Sequence, residues 1–233
     1  MRLFSICFLF LCVFPAFSQE IQAIDNTPKA KIDSLYREDQ FYFGFTFNVL
    51  QAKPVGLTQG KIATGFTAGF LRDMPINKTR TFAIATGIGF TYNSYNQNLS
   101  ITKTGSTTVY AIIPANTEYD KNKFSQLLID VPLEFRWRTS TYESHKFWRI
   151  YGGFKLSYLA YNKSTFDNGN TKTVISNNRD FNKMLYGVYA AAGYNTWNVY
   201  AYYGLNPLFK SAKINNDAVA IKSLNIGLIF YIL

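Results

Sequence analysis

The chain has 233 residues, a formal net charge of +10, 18% aromatic residues and only 16% charged ones. That length suits one domain, and no apolar run beyond the first residues reaches the roughly 20 positions of a membrane-spanning helix, which excludes a helical membrane protein. The positive charge is not gathered on a helix or stripe, which argues against a nucleic-acid partner.

Taken in order, residues 1–18 read as an export signal. Arg2 supplies the positive start, residues 3–14 form a short apolar run, and Ala16 and Ser18 provide the small residues of a cleavage site before Gln19. Cys7 and Cys12 both fall inside this segment. The mature chain is therefore expected to have no disulfide and no thiol chemistry. Residues 19–39 are polar, contain Pro28, and read as a periplasmic lead-in to a domain spanning 40–233.

After Gln40 the apolar residues recur with period two, the periodicity of strands. Phe41, Phe43, Phe45, Phe47 and Val49 share one face, against Tyr42, Gly44, Thr46 and Asn48. Further runs place outward Ile62, Phe66 and Phe70; Phe82, Ile88 and Tyr92; Leu127, Val131 and Phe135; and Trp148, Phe154 and Tyr158. The last three place outward Met184, Val188 and Tyr194; Val199 and Tyr203; and Leu224, Leu228 and Ile232. The inward faces carry glycine, alanine, tyrosine and polar residues. The links 73–79, 139–146 and Asn195-Thr196 are short, and they alternate with longer polar links such as 93–123 and 162–182. Alternating link lengths and an even strand count predict an all-β fold: a closed, antiparallel, up-and-down transmembrane barrel of about eight strands with long extracellular loops. Both termini are then periplasmic and the location is a bacterial outer membrane. Lipid offers a strand edge no hydrogen-bond partner, so closure is required.

Three groups of residues stand out. Asp130, Glu134, Arg136, Arg149 and Lys155 lie on the inward face of the fourth and fifth runs. Pairing Trp137 with Trp148 sets Asp130 opposite Lys155 and Arg149 opposite Arg136, with Glu134 diagonal to Arg149. Such charges are tolerable inside only when paired, so they are expected to form an ionic plug in the lumen; a selectivity constriction is the alternative. Trp137, Phe147, Trp148, Tyr194 and Trp197 flank the short links, where a periplasmic aromatic girdle is expected. Phe230, Tyr231 and Leu233 close the chain like an insertion signal for the barrel-assembly machinery, although such signals usually end in an aromatic residue. His145, the one histidine, falls in a predicted turn away from any serine–acid pair. No catalytic residue, metal set or cofactor is expected, and the protein is read as non-enzymatic.

The opening strand Phe41-Tyr42-Phe43-Gly44-Phe45, the segments 83–92 and Val131-Pro132-Leu133-Glu134-Phe135, and the closing strand resemble the small outer-membrane β-barrel family of Bacteroidota, PorT-like or porin family. The resemblance covers nearly all of the mature chain. It implies a barrel in outer-membrane lipid, inserted by the barrel-assembly machinery, and carries over no catalytic residue. PorT itself is linked to type IX secretion. The leading expectation is an accessory subunit of a larger outer-membrane secretion or barrel-assembly complex, in contact with other outer-membrane proteins. The alternatives are a small channel or ligand-binding barrel, and an adhesion or recognition protein acting through residues 93–123.

Overall fold

The computed structural model describes residues 39–105, 107–139 and 147–232. The export signal, the lead-in up to residue 38, His145 and Leu233 lie outside that range. In chain order the strands are β1 (Gln40–Gln51), β2 (Thr64–Pro75), β3 (Phe82–Asn96), β4 (Leu99–Thr104), β5 (Thr107–Ile112), β6 (Lys121–Arg138), β7 (Trp148–Asp167), β8 (Lys172–Ser176), β9 (Met184–Tyr194), β10 (Trp197–Gly204), β11 (Lys213–Ile214), β12 (Asp217–Ala218) and β13 (Lys222–Ile232).

Eight of these strands close a barrel, all neighbours antiparallel, in the order β6-β3-β2-β1-β13-β10-β9-β7 with β6 returning to β7. β8 is an extra strand that continues the pairing of β7 beyond the end of β9. A ladder row followed around the barrel from Arg138 passes Arg149, Gly193, Asn198, Ile229, Gly44, Thr67 and Thr91, and returns to β6 at Leu128. That offset along β6 is the stagger that closure demands, and it tilts strands by about 35–45°.

The alternation read from the sequence sets the two faces. Phe41, Phe45, Phe90, Phe135, Trp148, Ile150, Val199 and Ile226 stand on the outside, whereas Tyr42, Asn48, Thr91, Asp130, Glu134, Tyr151, Tyr200 and Asn225 are buried in the lumen. Small inward residues make room for the tyrosines: the Tyr42 hydroxyl lies where a Cβ on Gly89 would stand, 2.0 Å from that position. Gly227, on the seam between the first and last strands, is needed for a different reason. A Cβ there would lie 1.9 Å from the Phe45 carbonyl oxygen. Gly227→Ala should therefore destabilise the barrel by about 1–3 kcal/mol, the usual range for overpacking. Urea unfolding in lipid vesicles checks this; an unchanged midpoint would show that the seam yields freely.

The structure departs from the sequence reading in four places. β2 begins at Thr64, so Ile62 belongs to the preceding loop, and β2 runs on to Pro75, which puts Asp73 in the strand rather than in a turn. The link 93–123 is no open loop: β3 extends to Asn96, and the hairpin β4–β5 fills the middle. The link 162–182 likewise carries the end of β7 and β8. Finally, the β6–β7 register is shifted by two residues. Trp137 faces Ile150, Asp130 faces Ser157, Lys155 faces Pro132, and Arg149 faces Arg138. The cause is Thr139, whose backbone N–H donates to the Trp148 carbonyl at 3.0 Å while its Oγ1 accepts from the Trp148 N–H at 3.1 Å. These two hydrogen bonds place Thr139, not Trp137, beside Trp148.

Candidate functional site

The lumen is filled in tiers from the short-turn end to the long-loop end. At the short-turn end Asp73 of β2 accepts from two guanidinium groups of β6. Arg136 Nη1 donates to Oδ1 at 2.9 Å, and Arg138 makes a two-pronged contact through Nη1 and Nη2, each at 2.9 Å. Arg136 Nε also donates to Glu134 Oε2 at 3.0 Å, and the Tyr231 hydroxyl donates to Glu134 Oε1 at 3.0 Å. Arg138 Nε donates to the Arg80 carbonyl at 3.0 Å, which ties the network to the β2–β3 turn. The side chains of Asp73, Glu134, Arg136 and Arg138 are all fully shielded from solvent. Charge-assisted, two-pronged bonds of this kind are what makes such burial tolerable.

A second tier lies halfway along. Asp130 accepts from Thr91 Oγ1 and Ser157 Oγ, both at 2.5 Å, and Lys155 Nζ stands 3.4 Å away. Lys155 Nζ also lies 3.4 Å from the Tyr200 hydroxyl and 4.6 Å from the centre of the Tyr202 ring. The space left beside these groups, lined in part by Tyr42, Thr67 and Tyr189, is a cavity of about 20 Å³, room for about one water.

Four of the five charges singled out from the sequence, Asp130, Glu134, Arg136 and Lys155, thus sit in ion pairs. Arg149 does not join them. It is 3% exposed, and its guanidinium stacks 4.5 Å from the Phe147 ring and 5.6 Å from that of Tyr231. Asp73 and Arg138 complete the network in its place. Arg138 stands on the inward face in the sequence, but the sequence reading leaves Asp73 in a turn. Extending the inward parity of Ala63, Gly65, Thr67, Gly69 and Leu71 by one step reaches it.

Of the aromatic residues near the short links, Trp137, Trp148, Tyr194 and Trp197 stand outward, with Trp148 5.5 Å from Tyr194 and Trp197 4.7 Å from Phe230. Phe147 does not belong with them. It is 2% exposed and packs inside beneath Arg149. Neighbouring residues of an extended chain face opposite ways, so Phe147 and Trp148 cannot both face outward. Of the closing residues, Phe230 lies on the outward side and Tyr231 inside.

The long-loop end has a core of its own, which the period-two pattern does not announce. Leu50, Tyr95, Leu99, Phe124, Phe181, Leu208, Phe209 and Ile221, drawn from strand ends and from several loops, pack together with almost no exposure. Phe124 is the hub, 4.9 Å from Tyr95, 5.5 Å from Phe181 and 5.7 Å from Phe209. Polar bonds lock the loops above it. The Tyr110 hydroxyl donates to Asp180 Oδ2 at 2.8 Å, Ser211 Oγ donates to Oδ1 at 2.7 Å, and Asn178 Nδ2 donates to the Tyr110 hydroxyl at 2.7 Å. Burial pushes the Tyr110 phenol above its ordinary value, so it remains a neutral donor. The β11–β12 turn is built on Asn215 and Asn216, both at positive φ (49° and 72°), the geometry of a tight hairpin turn. Between the β4–β5 hairpin, the segment 175–180 and residues 211–213 lies an open, largely polar cleft of about 600 Å³.

An antiparallel barrel that is apolar outside and charged and hydrogen-bonded within is the construction of a β-barrel membrane protein. The chain belongs to the outer membrane protein beta-barrel domain family, whose model matches residues 17–210, and it is an outer-membrane barrel. Comparison with curated proteins gives no match. Among solved structures, the chain is similar to Ail, the attachment invasion locus protein of Yersinia pestis. The identity is 12%, the coverage 85% of this chain and 100% of that one, and the TM-score 0.38. Ail in complex with the heparin analogue sucrose octasulfate matches at 10% identity, the same coverage and a TM-score of 0.39. A mutant porin of Rh. blastica matches at 8% identity, covering 84% of this chain and 100% of its own, with a TM-score of 0.21.

Proposed function

We propose that this barrel is a surface-recognition protein of the outer membrane. Its long-loop end faces the cell exterior, its termini face the periplasm, and outward Trp137, Trp148, Tyr194 and Trp197 mark the periplasmic edge of the lipid. The observation that carries this reading is the apolar core at the long-loop end. Loops that only connect strands do not need one, whereas a binding surface gains from being held rigid before its partner arrives. The expected role as an accessory subunit of a secretion or barrel-assembly complex rests on no contact or motif among the described residues, and the recognition alternative takes precedence over it.

The channel alternative is disfavoured by the filling of the lumen. The ionic tiers serve as a structural plug, and a mid-lumen cavity of about 20 Å³ does not admit a hydrated ion stream. Purified protein in planar bilayers should therefore give conductance no higher than the bare membrane; steady single-channel steps would restore the porin reading.

Recognition is tested by display on a non-adherent bacterium. Cells carrying the intact protein should bind a panel of mammalian cells, other bacteria and extracellular matrix more than empty cells do. Replacing residues 99–112 with a short turn should abolish the gain while the barrel keeps its heat-modifiable gel mobility. If display confers no binding, and the protein instead leaves its native membrane in stoichiometric association with a larger complex, the accessory-subunit reading is the correct one.

A further inference from the structure

We infer that the cleft at the long-loop end takes an acidic oligosaccharide, an inference that rests on the recognition reading and names its ligand. The cleft carries Lys103, Arg179 and Lys213, all exposed. None of the three has an ion-pair partner among the described residues. Among the described residues the one carboxylate lining the cleft is Asp180, with an oxygen held by the Tyr110 hydroxyl and the other by Ser211. It is thereby turned to locking loops together and does not pair with the lysines or the arginine. Three cations from three separate loops thus line one concavity, which suits a ligand with several spaced negative charges.

The rest of the lining says what kind of anion fits. Thr107, Thr108, Ser176 and Asn177 offer groups that both donate and accept, which suits a ligand covered in hydroxyls. A volume of about 600 Å³ exceeds what a lone inorganic anion needs and lies within the range of organic ligand sites. Among its described residues the cleft lacks a stacking platform of the kind single-stranded nucleic acids use. Its one aromatic lining residue, Tyr110, is buried and packed edge-on against Phe209 at 5.7 Å. The cleft is also held in shape before binding, because the bonds from Asn178 and Ser211 and the Tyr110–Phe209 contact join its walls.

The test uses the full folded protein in detergent micelles, titrated by calorimetry with a heparin-derived octasaccharide, with neutral maltooctaose, and with phosphorylated lipopolysaccharide core saccharide. Both acidic saccharides, or one of them, should bind, with affinity falling as salt is raised, and maltooctaose should not. The stronger arm tells whether a host-type glycan or an envelope saccharide is the natural source. The triple variant K103E, R179E and K213E, all at exposed positions, should fold as judged by heat-modifiable mobility and lose at least about tenfold in affinity. Failure of both acidic saccharides to bind, equal binding of maltooctaose, or an unweakened triple variant overturns the inference. The same variant on displayed cells separates the two readings: cell binding that survives it leaves recognition standing with a different ligand.

Discussion

Asp73→Ala is expected to be among the most damaging single substitutions in the lumen. It removes a carboxylate that both Arg136 and Arg138 grip at 2.9 Å, and both guanidinium groups stay shut away from water. Glu134 still reaches Arg136 and the Arg80 carbonyl still accepts from Arg138, but two buried guanidinium groups lose a carboxylate that they share. Breaking a buried pair from one side costs about 3–5 kcal/mol, far more than the pair's net contribution. That is a large share of a typical domain's total stability. Urea unfolding in lipid vesicles, followed by tryptophan fluorescence, measures it. A double variant, Asp73→Ala with Arg138→Met, should recover part of the loss because it also removes one of the two buried guanidinium groups that lose this carboxylate. A single-variant loss below about 0.5 kcal/mol would mean that water enters the network and screens it.

Phe124→Ala should have an effect of similar size in a different place. The ring is wholly buried and packs against three other rings, those of Tyr95, Phe181 and Phe209. Deleting a buried phenylalanine costs about 3–5 kcal/mol. The loss should fall on the long-loop cap, while the ion-paired tiers below keep the barrel closed. Limited proteolysis of the protein in vesicles should cut the loops many times faster in the variant, with the barrel fragment surviving. Barrel and loops failing together at one urea concentration would show that cap and barrel are a single cooperative unit.

The two targets differ in how readily the sequence reveals them. Which face a residue takes follows from period-two alternation, so the amino-acid sequence alone marks Asp130, Glu134, Arg136, Arg149 and Lys155 as inward. Alternation says nothing about how far one strand slides past the next. The hydrogen bonds of Thr139 settle the β6–β7 register, and setting tryptophan against tryptophan is off by two residues. The period-two run read from the sequence ends before Asp73, which is left at the start of the link 73–79, yet the strand runs on through it. The cap is illegible for a plainer reason. Leu99, Ile101, Tyr110, Phe181, Leu208 and Phe209 are scattered over three links with no shared period, and only the fold brings them together.

The seam between β1 and β13, which pairs Phe41 with Ile232 and continues to Gln51 with Lys222, sets the order in which this molecule can be made. Its two sides are the first and last strands of the domain, so no intermediate that lacks the final strand can be a closed object. Every partial chain carries two open rows of N–H and C=O groups, which hydrocarbon cannot satisfy. Joining ends so distant in sequence also carries the largest loop-closure entropy in the fold. Insertion is therefore expected to wait for delivery of the last strand, and a nascent chain stalled before β13 should remain a client of whatever holds its edges, never a smaller barrel.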